Sequence, residues 1–167
     1  MERNVLSLLV ANHFGVLTRV TNLFGQRGFN IDSLAVGETE NPRFSRITIT
    51  THGDERVINQ IKLQLAKLED VKAVVEIPEE QLFIREVVLI KAEPKKAQME
   101  AFEQAVSDFG GRLQIVEGDV YVIELTDTPD SINYFIEELQ DFHIREISRT
   151  GGVALELSRE TVYCYYR

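Results

Sequence analysis

The amino-acid sequence predicts an α+β protein in which the element order βαββαβ occurs twice along the chain. Two observations support this prediction. Short apolar runs of strand length alternate with segments whose apolar residues recur at helical spacing. The same order returns after a turn-rich stretch, Pro78-Glu79-Glu80-Gln81, with an offset of roughly 80 residues. We therefore predict two ferredoxin-like domains, each an antiparallel sheet with two helices on one face.

The first half begins with a strongly apolar strand. Val5-Leu6-Ser7-Leu8-Leu9-Val10 is too apolar for a strand with one wet face and is typical of a strand buried on both faces. Helical spacing marks the next segment, and Asp54 has the residue type and position of an N-cap for a second helix. The predicted elements are a strand over about 3–10, a helix over 15–27, strands over 30–37 and 44–52, a helix over 54–68 and a strand over 71–77, in which residues 71, 73, 75 and 77 alternate with their neighbours.

The second half repeats this order. A strand over 85–91 precedes a helix that ends at Gly110-Gly111. Two short strands then flank Glu117-Gly118-Asp119, as in a hairpin. Thr128-Pro129 supplies the N-cap and the first residue of the last helix, and residues 143–149 form a weaker final strand.

These patterns define two domains joined by a short linker. The first domain spans residues 1–78, the linker spans 79–83, and the second domain, with a tail, spans 84–167. The residues after Gly152 have no clear periodicity, so the sequence predicts no structure for them. A chain of 167 residues is long enough for two such small cores.

Composition and charge exclude several classes of protein. Hydrophobic content of 44% with 27% charged residues is ordinary for a globular protein, and no apolar run approaches the roughly 20 residues of a membrane span. The net charge of −9 disfavours binding to nucleic acid. One cysteine cannot form an internal disulfide, and no secretory signal precedes the first strand. We therefore expect a cytoplasmic protein that binds neither nucleic acid nor a membrane.

Catalytic chemistry has little support in the sequence. The three histidines lie far apart, and none has a second ligand residue at metal-site spacing. No glycine-rich phosphate loop, nucleophile elbow or zinc-protease motif occurs. Cys164 lies in an aromatic tail with no basic neighbour, which is typical of a packing residue and not of a nucleophile. We predict no catalytic residue and no metal site.

The strongest indication of a binding site is the turn Asn12-His13-Phe14-Gly15, between the first strand and the first helix. A glycine at that junction lets a ligand approach the backbone closely. The free N–H groups of the first helical turn then face the ligand with the positive end of the helix dipole, which favours a small carboxylate. The alternative is that Gly15 only relieves a tight turn.

A second turn, Gly28-Phe29-Asn30-Ile31, follows the first helix. The carboxamides of Asn12 and Asn30 both donate and accept hydrogen bonds, which suits a zwitterion, although each asparagine alone also fits an ordinary turn. The second face of the apolar first strand needs cover, which we expect from another copy of the chain. A symmetric pair would bring the Gly15 turn of one chain near the Asn30 turn of the other.

These residues resemble a known family. Segments 12–17, 19–20 and 24–34 are similar to the ACT-domain signature of the small, regulatory subunits of acetolactate (acetohydroxyacid) synthase. Further similarities lie at 45–48, in Arg85-Glu86 with Leu89 and Lys91, in Thr128-Pro129 with Phe135, and in Arg149-Thr150-Gly151 with Ala154-Leu155. The Asn-x-x-Gly turn is common to ACT domains, whereas the Arg-Gly-aromatic-Asn-Ile run and the Arg-Thr-Gly ending are more specific. Together the similarities cover nearly the whole chain.

The resemblance implies a non-catalytic subunit that binds the catalytic large subunit of acetolactate synthase, raises its activity and confers feedback inhibition by valine. It implies a homodimer formed through the ACT domains, with thiamine diphosphate, Mg and FAD only in the catalytic partner. The second domain is similar, in the family, to the ligand-binding half of nickel-responsive repressors, but only His143 could ligate a metal there, so we expect none. The effector would lie between two ACT domains, held by Asn12, His13, Phe14, Gly15, Val16 and Leu17 from one chain and by Asn30 and Ile31 from the other.

The chain departs from the family pattern at two places. The family often has proline or a small residue at position 14, so we expect Phe14 to narrow the pocket or to alter ligand choice. The tail after Gly152 is longer than usual, with Glu160 where the family tends to have glycine. Two alternatives stay open: a free-standing ACT-type amino-acid sensor that regulates a different enzyme or a transcription factor, and an independent small enzyme.

Overall fold

The computed structural model describes residues 3–166. Two compact units make up the chain: the first runs to Phe83 and also includes the tail from Gly152, and the second is Ile84–Gly151. Each unit has an antiparallel sheet, two α-helices and a hydrophobic core. The predicted fold class of two ferredoxin-like domains is confirmed. None of the helices in the described residues is long and apolar enough to cross a membrane.

The first unit has the predicted element order. Its elements are β1 (Arg3–Ala11), α1 (Val16–Arg27), β2 (Ser33–Glu38), β3 (Phe44–His52), α2 (Glu55–Leu65) and β4 (Val71–Ile77). The sheet order is β2-β3-β1-β4, so β2 and β4 are its edge strands. Glycine in the left-handed conformation stands at both ends of α1, at Gly15 and Gly28, and Asp54 caps α2 as predicted. Two predicted bounds differ by more than one residue: β2 begins three residues later than expected, and α2 ends three residues earlier, at Leu65.

Strand β1 is buried on both faces, as its sequence predicts. On one face, Leu6, Leu8 and Val10 pack with both helices in the main core. On the other face, Leu9 packs with Ala73 of β4 and with a residue of the tail, so the cover that we expected from a second copy is provided at this point by the chain itself. The sequence could not indicate this contact because it joins segments at opposite ends of the chain.

The predicted clean alternation along β4 is interrupted by a bulge. Leu9 pairs with Ala73, but the next residue of β1, Val10, pairs with Val71, so Lys72 is an extra residue in β4. Because an extra residue reverses the in-out phase, Val71 joins the core beneath the helices while Ala73 lies on the opposite face. Val71 and Ala73, which the sequence places on one face of the strand, therefore belong to two different hydrophobic clusters.

The tail consists of a strand, β9 (Val153–Glu156), and a 3-10 helix, Val162–Tyr165. The sequence predicts that the tail belongs to the second domain, but its contacts group it with the first unit. The Tyr163 hydroxyl lies 3.0 Å from Thr39 Oγ1, and the Phe44 ring contacts the rings of Tyr163 and Tyr166 edge-on. Aromatic packing on the open face of the first sheet explains the difference.

The expected linker over 79–83 is also structured. Residues Glu79–Gln81 form a 3-10 turn, and the next strand already begins at Leu82. The carbonyl oxygen of Gln81 accepts a hydrogen bond of 2.7 Å from the N–H of Leu157. The linker is therefore short, and its backbone is tied to the tail.

The second unit repeats the topology. Its elements are β5 (Leu82–Ala92), which begins before the unit boundary, α3 (Met99–Asp108), β6 (Arg112–Glu117), β7 (Val120–Asp127), α4 (Pro129–Glu138) and β8 (Ile144–Arg149), and the sheet order is β6-β7-β5-β8. Thr128 caps α4 and Pro129 is its first residue, as predicted. The core lies between the sheet and the two helices, with Phe102 and Phe135 fully buried.

Candidate functional site

The loop between β1 and α1 presents an open helix N-terminus. Gly15 is the N-cap residue, with φ of 86° and ψ of −8°, a left-handed conformation that glycine adopts without strain. Within the described residues, no side chain caps α1, and its first turn has no acidic residue. By contrast, Asp54 accepts from the N–H of Val57 at the start of α2. The first N–H groups of α1 are therefore available to an anion.

The space beside Gly15 is not filled by the protein. A Cβ added to Gly15 would meet no described heavy atom within 4 Å. Phe14 is 101% exposed, so no other residue of the protomer packs against its side chain. Leu17 is 39% exposed, whereas Val16 is buried in the main core. Phe14 and Leu17 thus offer apolar surface, and Val16 offers its backbone.

Asn12 is held by residues near the end of β2 and the turn that follows. Its Nδ2 donates to the carbonyl oxygen of Pro42 at 2.9 Å and to Oε2 of Glu38 at 3.2 Å. Its backbone N–H donates to the carbonyl oxygen of Arg43 at 2.8 Å. Both amide hydrogens are thereby used, and among the described residues no donor reaches Oδ1. The side chain can accept a hydrogen bond from a ligand but has no donor left for one.

Asp70, just before β4, anchors the other side of the loop. Its Oδ1 lies 3.0 Å from Nε2 of His13, and its Oδ2 accepts from the Arg19 guanidinium. Its backbone oxygen also accepts from the N–H of Ala11 at 2.8 Å. The Asp70 side chain is only 13% exposed, which strengthens its interaction with Arg19 relative to a fully solvated pair. His13 is thus oriented by Asp70 and serves to position the loop.

The second predicted turn is equally ordered. The backbone N–H of Phe29 donates to the carbonyl oxygen of Phe24, which closes the end of α1 at Gly28. The backbone oxygen of Asn30 accepts from the hydroxyl of Thr51 at 2.6 Å. Asn30 Nδ2 donates to Oδ1 of Asp32 at 2.8 Å. The side chain of Asn30 is exposed and keeps hydrogen-bonding capacity for a ligand.

Within one protomer the two turns do not form one pocket. Gly15 and Gly28 mark opposite ends of α1, which has 12 residues. At about 1.5 Å per residue, the turns are about 18 Å apart along the helix axis. The structure therefore brings residues 12–17 together in one loop but places Asn30 and Ile31 at the far end of the helix.

Several residues of this region have no sequence signal that would have identified them. Glu38 and Asp70 belong to no motif in the sequence, and the hydrogen-bond partners Asn12 and His13 lie 26 and 57 residues away from them. Asp32 follows Asn30 closely and binds Nδ1 of His52 at 2.6 Å as well as the Asn30 amide. Only the position of Asp32 beside a candidate residue could have marked it in advance.

The histidines and the cysteine of residues 3–166 do not gather into a metal-binding group. That part of the chain contains no group of three histidine, cysteine, aspartate or glutamate side chains that could hold a metal ion. His143 has a left-handed backbone, with φ of 52°, at the end of a 3-10 helix. Cys164 is exposed in the tail.

Four motif residues of the second half, Glu86, Arg149, Thr150 and Gly151, form one structural cluster. Glu86 is 3% exposed, and Arg149 donates to both of its carboxylate oxygens at 2.8 Å. The N–H of Gly151 adds a hydrogen bond of 3.2 Å to Oε1, and the hydroxyl oxygen of Thr150 accepts from the N–H of Val87. Hydrogen bonding to Glu86 raises the pKa of Arg149 above its usual value. These residues fix the end of β8 against β5.

The fold and the glycine-opened helix define the first unit as an ACT domain. The family described as the AHAS small subunit-like ACT domain matches residues 6–73, and the family described as the small subunit of acetolactate synthase matches residues 85–158. The two matches lie in the two halves of the chain and together cover most of it. The chain belongs to the acetolactate synthase small-subunit family.

Individual relatives agree with this assignment. The chain is 37% identical over 162 residues to the probable acetolactate synthase small subunit of Methanothermobacter thermautotrophicus, with 96% of each chain covered. It is 40% identical over 154 residues to the acetolactate synthase isozyme 3 small subunit of Salmonella typhimurium, with 92% of this chain and 94% of the relative covered. The crystal structure of the acetolactate synthase small subunit from Thermotoga maritima matches with a TM-score of 0.85 and 39% identity, covering 93% of this chain and 98% of that one.

Proposed function

We propose that this protein is the regulatory subunit of a cytoplasmic acetolactate synthase, that it activates the catalytic large subunit, and that it makes the enzyme sensitive to inhibition by valine. One observation carries the effector part of the proposal: α1 begins at a left-handed glycine with open space beside it. That arrangement suits the carboxylate of an amino acid. The partner is suggested by the names of the relatives.

The loop offers a separate contact for each part of a small amino acid. The carboxylate binds the free N–H groups at the start of α1, where the helix dipole contributes roughly 0.3–1 kcal/mol. The ammonium group binds Oδ1 of Asn12 and the carboxylate of Glu38, which already lie together. The aliphatic side chain rests on the exposed apolar surface of Phe14 and Leu17. Exposed Phe14 is then available to contact the ligand or a second chain.

The site is completed by a second copy of the chain. Because the two turns of one protomer are about 18 Å apart along α1, they can serve one ligand only if they come from different protomers. In a homodimer through the ACT domains, Asn30 and Ile31 of the partner subunit face the Gly15 loop, and the symmetry creates two such sites. Strand β2 is an edge of the sheet and is open to pairing.

The proposed subunit contributes no catalytic group and holds no metal or cofactor of its own. Thiamine diphosphate, Mg and FAD belong to the catalytic partner in this proposal. Valine acts by shifting the equilibrium between assembled states, so its effect equals its difference in affinity for those states.

Reconstitution with a purified acetolactate synthase large subunit tests the proposal. The chain alone should not turn over pyruvate, its addition should raise acetolactate formation, and valine should then lower that rate. If the chain does not bind the large subunit but associates with an enzyme of another class or with a transcription factor, the sensor alternative is supported. Turnover of pyruvate by the highly purified chain would contradict the non-catalytic role.

A further inference from the structure

A cavity lies in the first unit, on the sheet face opposite the helices. It has a volume of about 240 Å³ and lies between the sheet and the tail. Ser7 of β1, Arg46 of β3 and Val75 of β4 line it from the sheet, and Glu156 and Glu160 line it from the tail. None of these residues belongs to the Gly15 loop or to the Asn30 turn.

The sheet side of the cavity carries a positive charge and a buried hydroxyl group. Arg46 donates through Nη1 to the Ser7 hydroxyl oxygen at 3.0 Å. Ser7 is 2% exposed, and within residues 3–166 its hydroxyl hydrogen has no acceptor of its own. The other guanidinium N–H groups of Arg46 likewise have no hydrogen-bond acceptor in the described part of the protein. Both groups can therefore donate to a carboxylate that enters the cavity.

The tail side carries two negative charges. The Tyr165 hydroxyl donates to Oε2 of Glu160 at 2.6 Å. That hydrogen bond is the main cause that raises the pKa of Tyr165 to about 12, and the charge of Glu156 also contributes. Both carboxylates are thus close enough to Tyr165 to act on its pKa. Tyr165 occupies one oxygen of Glu160, so the remaining oxygens can accept from an ammonium group.

The charges across the cavity are opposite but not paired. No ion pair joins Arg46 to Glu156 or Glu160 among the described residues. A ligand with one negative and one positive group can satisfy both sides at once. Drug-sized ligands need pockets of about 300–1,000 Å³, so the smaller volume here suits a smaller molecule.

Apart from Ser158 and Thr161, the remaining lining residues are apolar. Val75, Ile77, Leu155 and Val162 line the same cavity. Val162 is 5% exposed and packs on Leu9 and Ala73, which closes one side of the cavity. The lining therefore combines an apolar surface with separated charges, which is the pattern that an α-amino acid with an aliphatic side chain requires.

We propose that the cavity between the first sheet and the tail binds a small aliphatic α-amino acid. Its carboxylate receives hydrogen bonds from Arg46 and Ser7, its ammonium group binds Glu156 and Glu160, and its side chain contacts Val75 and Ile77. This site lies within one chain and is separate from the proposed effector site at Gly15. Because the ligand touches both the sheet and the tail, its binding holds the tail in place.

Calorimetric titration with valine or leucine tests the second site in the intact chain. If both proposed sites bind, two amino acids bind per chain. Arg46→Gln and Glu156→Gln should each lower the affinity of the cavity site about tenfold or more and leave one amino acid bound per chain. Arg56→Gln and Glu79→Gln change the same charges at exposed positions outside the cavity and should leave the titration unchanged. Isovalerate and isobutylamine, which carry only one charged group each, should not bind at the cavity.

The outcomes separate this inference from the proposed function. Loss of one site in Gly15→Asp and of the other in Arg46→Gln supports both. Binding that Arg46→Gln abolishes and Gly15→Asp leaves intact supports the cavity and refutes the Gly15 site. Binding that neither Arg46→Gln nor Glu156→Gln changes, in variants with unaltered circular dichroism, overturns the cavity proposal.

Discussion

Replacing Gly15 by aspartate or asparagine separates a carboxylate-binding site from an ordinary turn. The two side chains have nearly the same shape and differ in charge. A Cβ at this position meets no described atom within 4 Å, so neither variant should collide with its own protomer. Each must adopt the left-handed conformation that glycine has here, at a cost of about 1–2 kcal/mol. Both variants should therefore fold with a similar, modest loss of stability.

The charge should make the two variants differ in ligand binding. In Gly15→Asp the new carboxylate competes with that of valine for the N–H groups at the start of α1. Two like charges about 4 Å apart at an effective dielectric constant of about 20 repel by about 4 kcal/mol. With solvent screening we expect about 2.7 kcal/mol, which corresponds to an affinity about 100-fold lower for Gly15→Asp than for Gly15→Asn.

Calorimetric titration with valine and thermal denaturation of both variants provide the measurement. The same ranking should appear in inhibition curves of the reconstituted enzyme, where Gly15→Asp should still activate the large subunit. Equal valine affinity of the Asp and Asn variants at the interprotomer site would refute the placement of the ligand carboxylate at this helix. Binding as tight as in the parent chain would show that Gly15 only forms a turn.

Three further predictions concern stability. Arg149→Met leaves the Glu86 carboxylate buried without its guanidinium partner and should lower the free energy of unfolding by about 3–5 kcal/mol. In denaturant titrations, the double variant Arg149→Met with Glu86→Leu should recover much of the lost stability. The Ser131 hydroxyl donates to Asp127 and holds the pKa of that carboxyl below its ordinary value of 3.8. The stability that this hydrogen bond contributes is therefore present above pH 3.8 and is lost as the pH falls through the lower pKa of the folded state. Ser131→Ala should make this loss of stability smaller, which acid unfolding followed by NMR will show. Val162→Ala should cost roughly 1–3 kcal/mol and speed hydrogen exchange in the tail, and unchanged exchange would contradict the packing described for it.

The fold could be predicted because its signals are local. The glycines that end or begin α1, the cap at Asp54 and the Thr128-Pro129 pair each act within one turn of a helix, so short stretches of sequence identify them. The continuous apolar run of β1 likewise predicts that this strand is buried on both faces. Such features depend on neighbours along the chain, so they can be identified without knowledge of the tertiary structure.

The parts that could not be predicted depend on distant residues. Asp70 meets His13 across 57 residues, and Glu86 meets Arg149 across 63. The tail reaches Thr39 across 124 residues through Tyr163, and nothing in its own periodicity indicates which sheet face it covers. Residues 12 to 17 are consecutive, so the sequence could group them in one loop, whereas the proposed contribution of Asn30 depends on a second chain.

A mixing experiment tests the central claim, a valine site shared between two protomers, most directly. Gly15→Asp and Asn30→Ala are each expected to lose valine binding at this site. In a symmetric dimer that contains one chain of each kind, one site combines both changes and the other site is intact. Unfolding and refolding the two variants together at equal concentration should therefore restore about a quarter of the parent's valine-binding capacity at this site, since about half of the dimers are mixed. No recovery on mixing, with dimers formed and folded, would contradict the shared site.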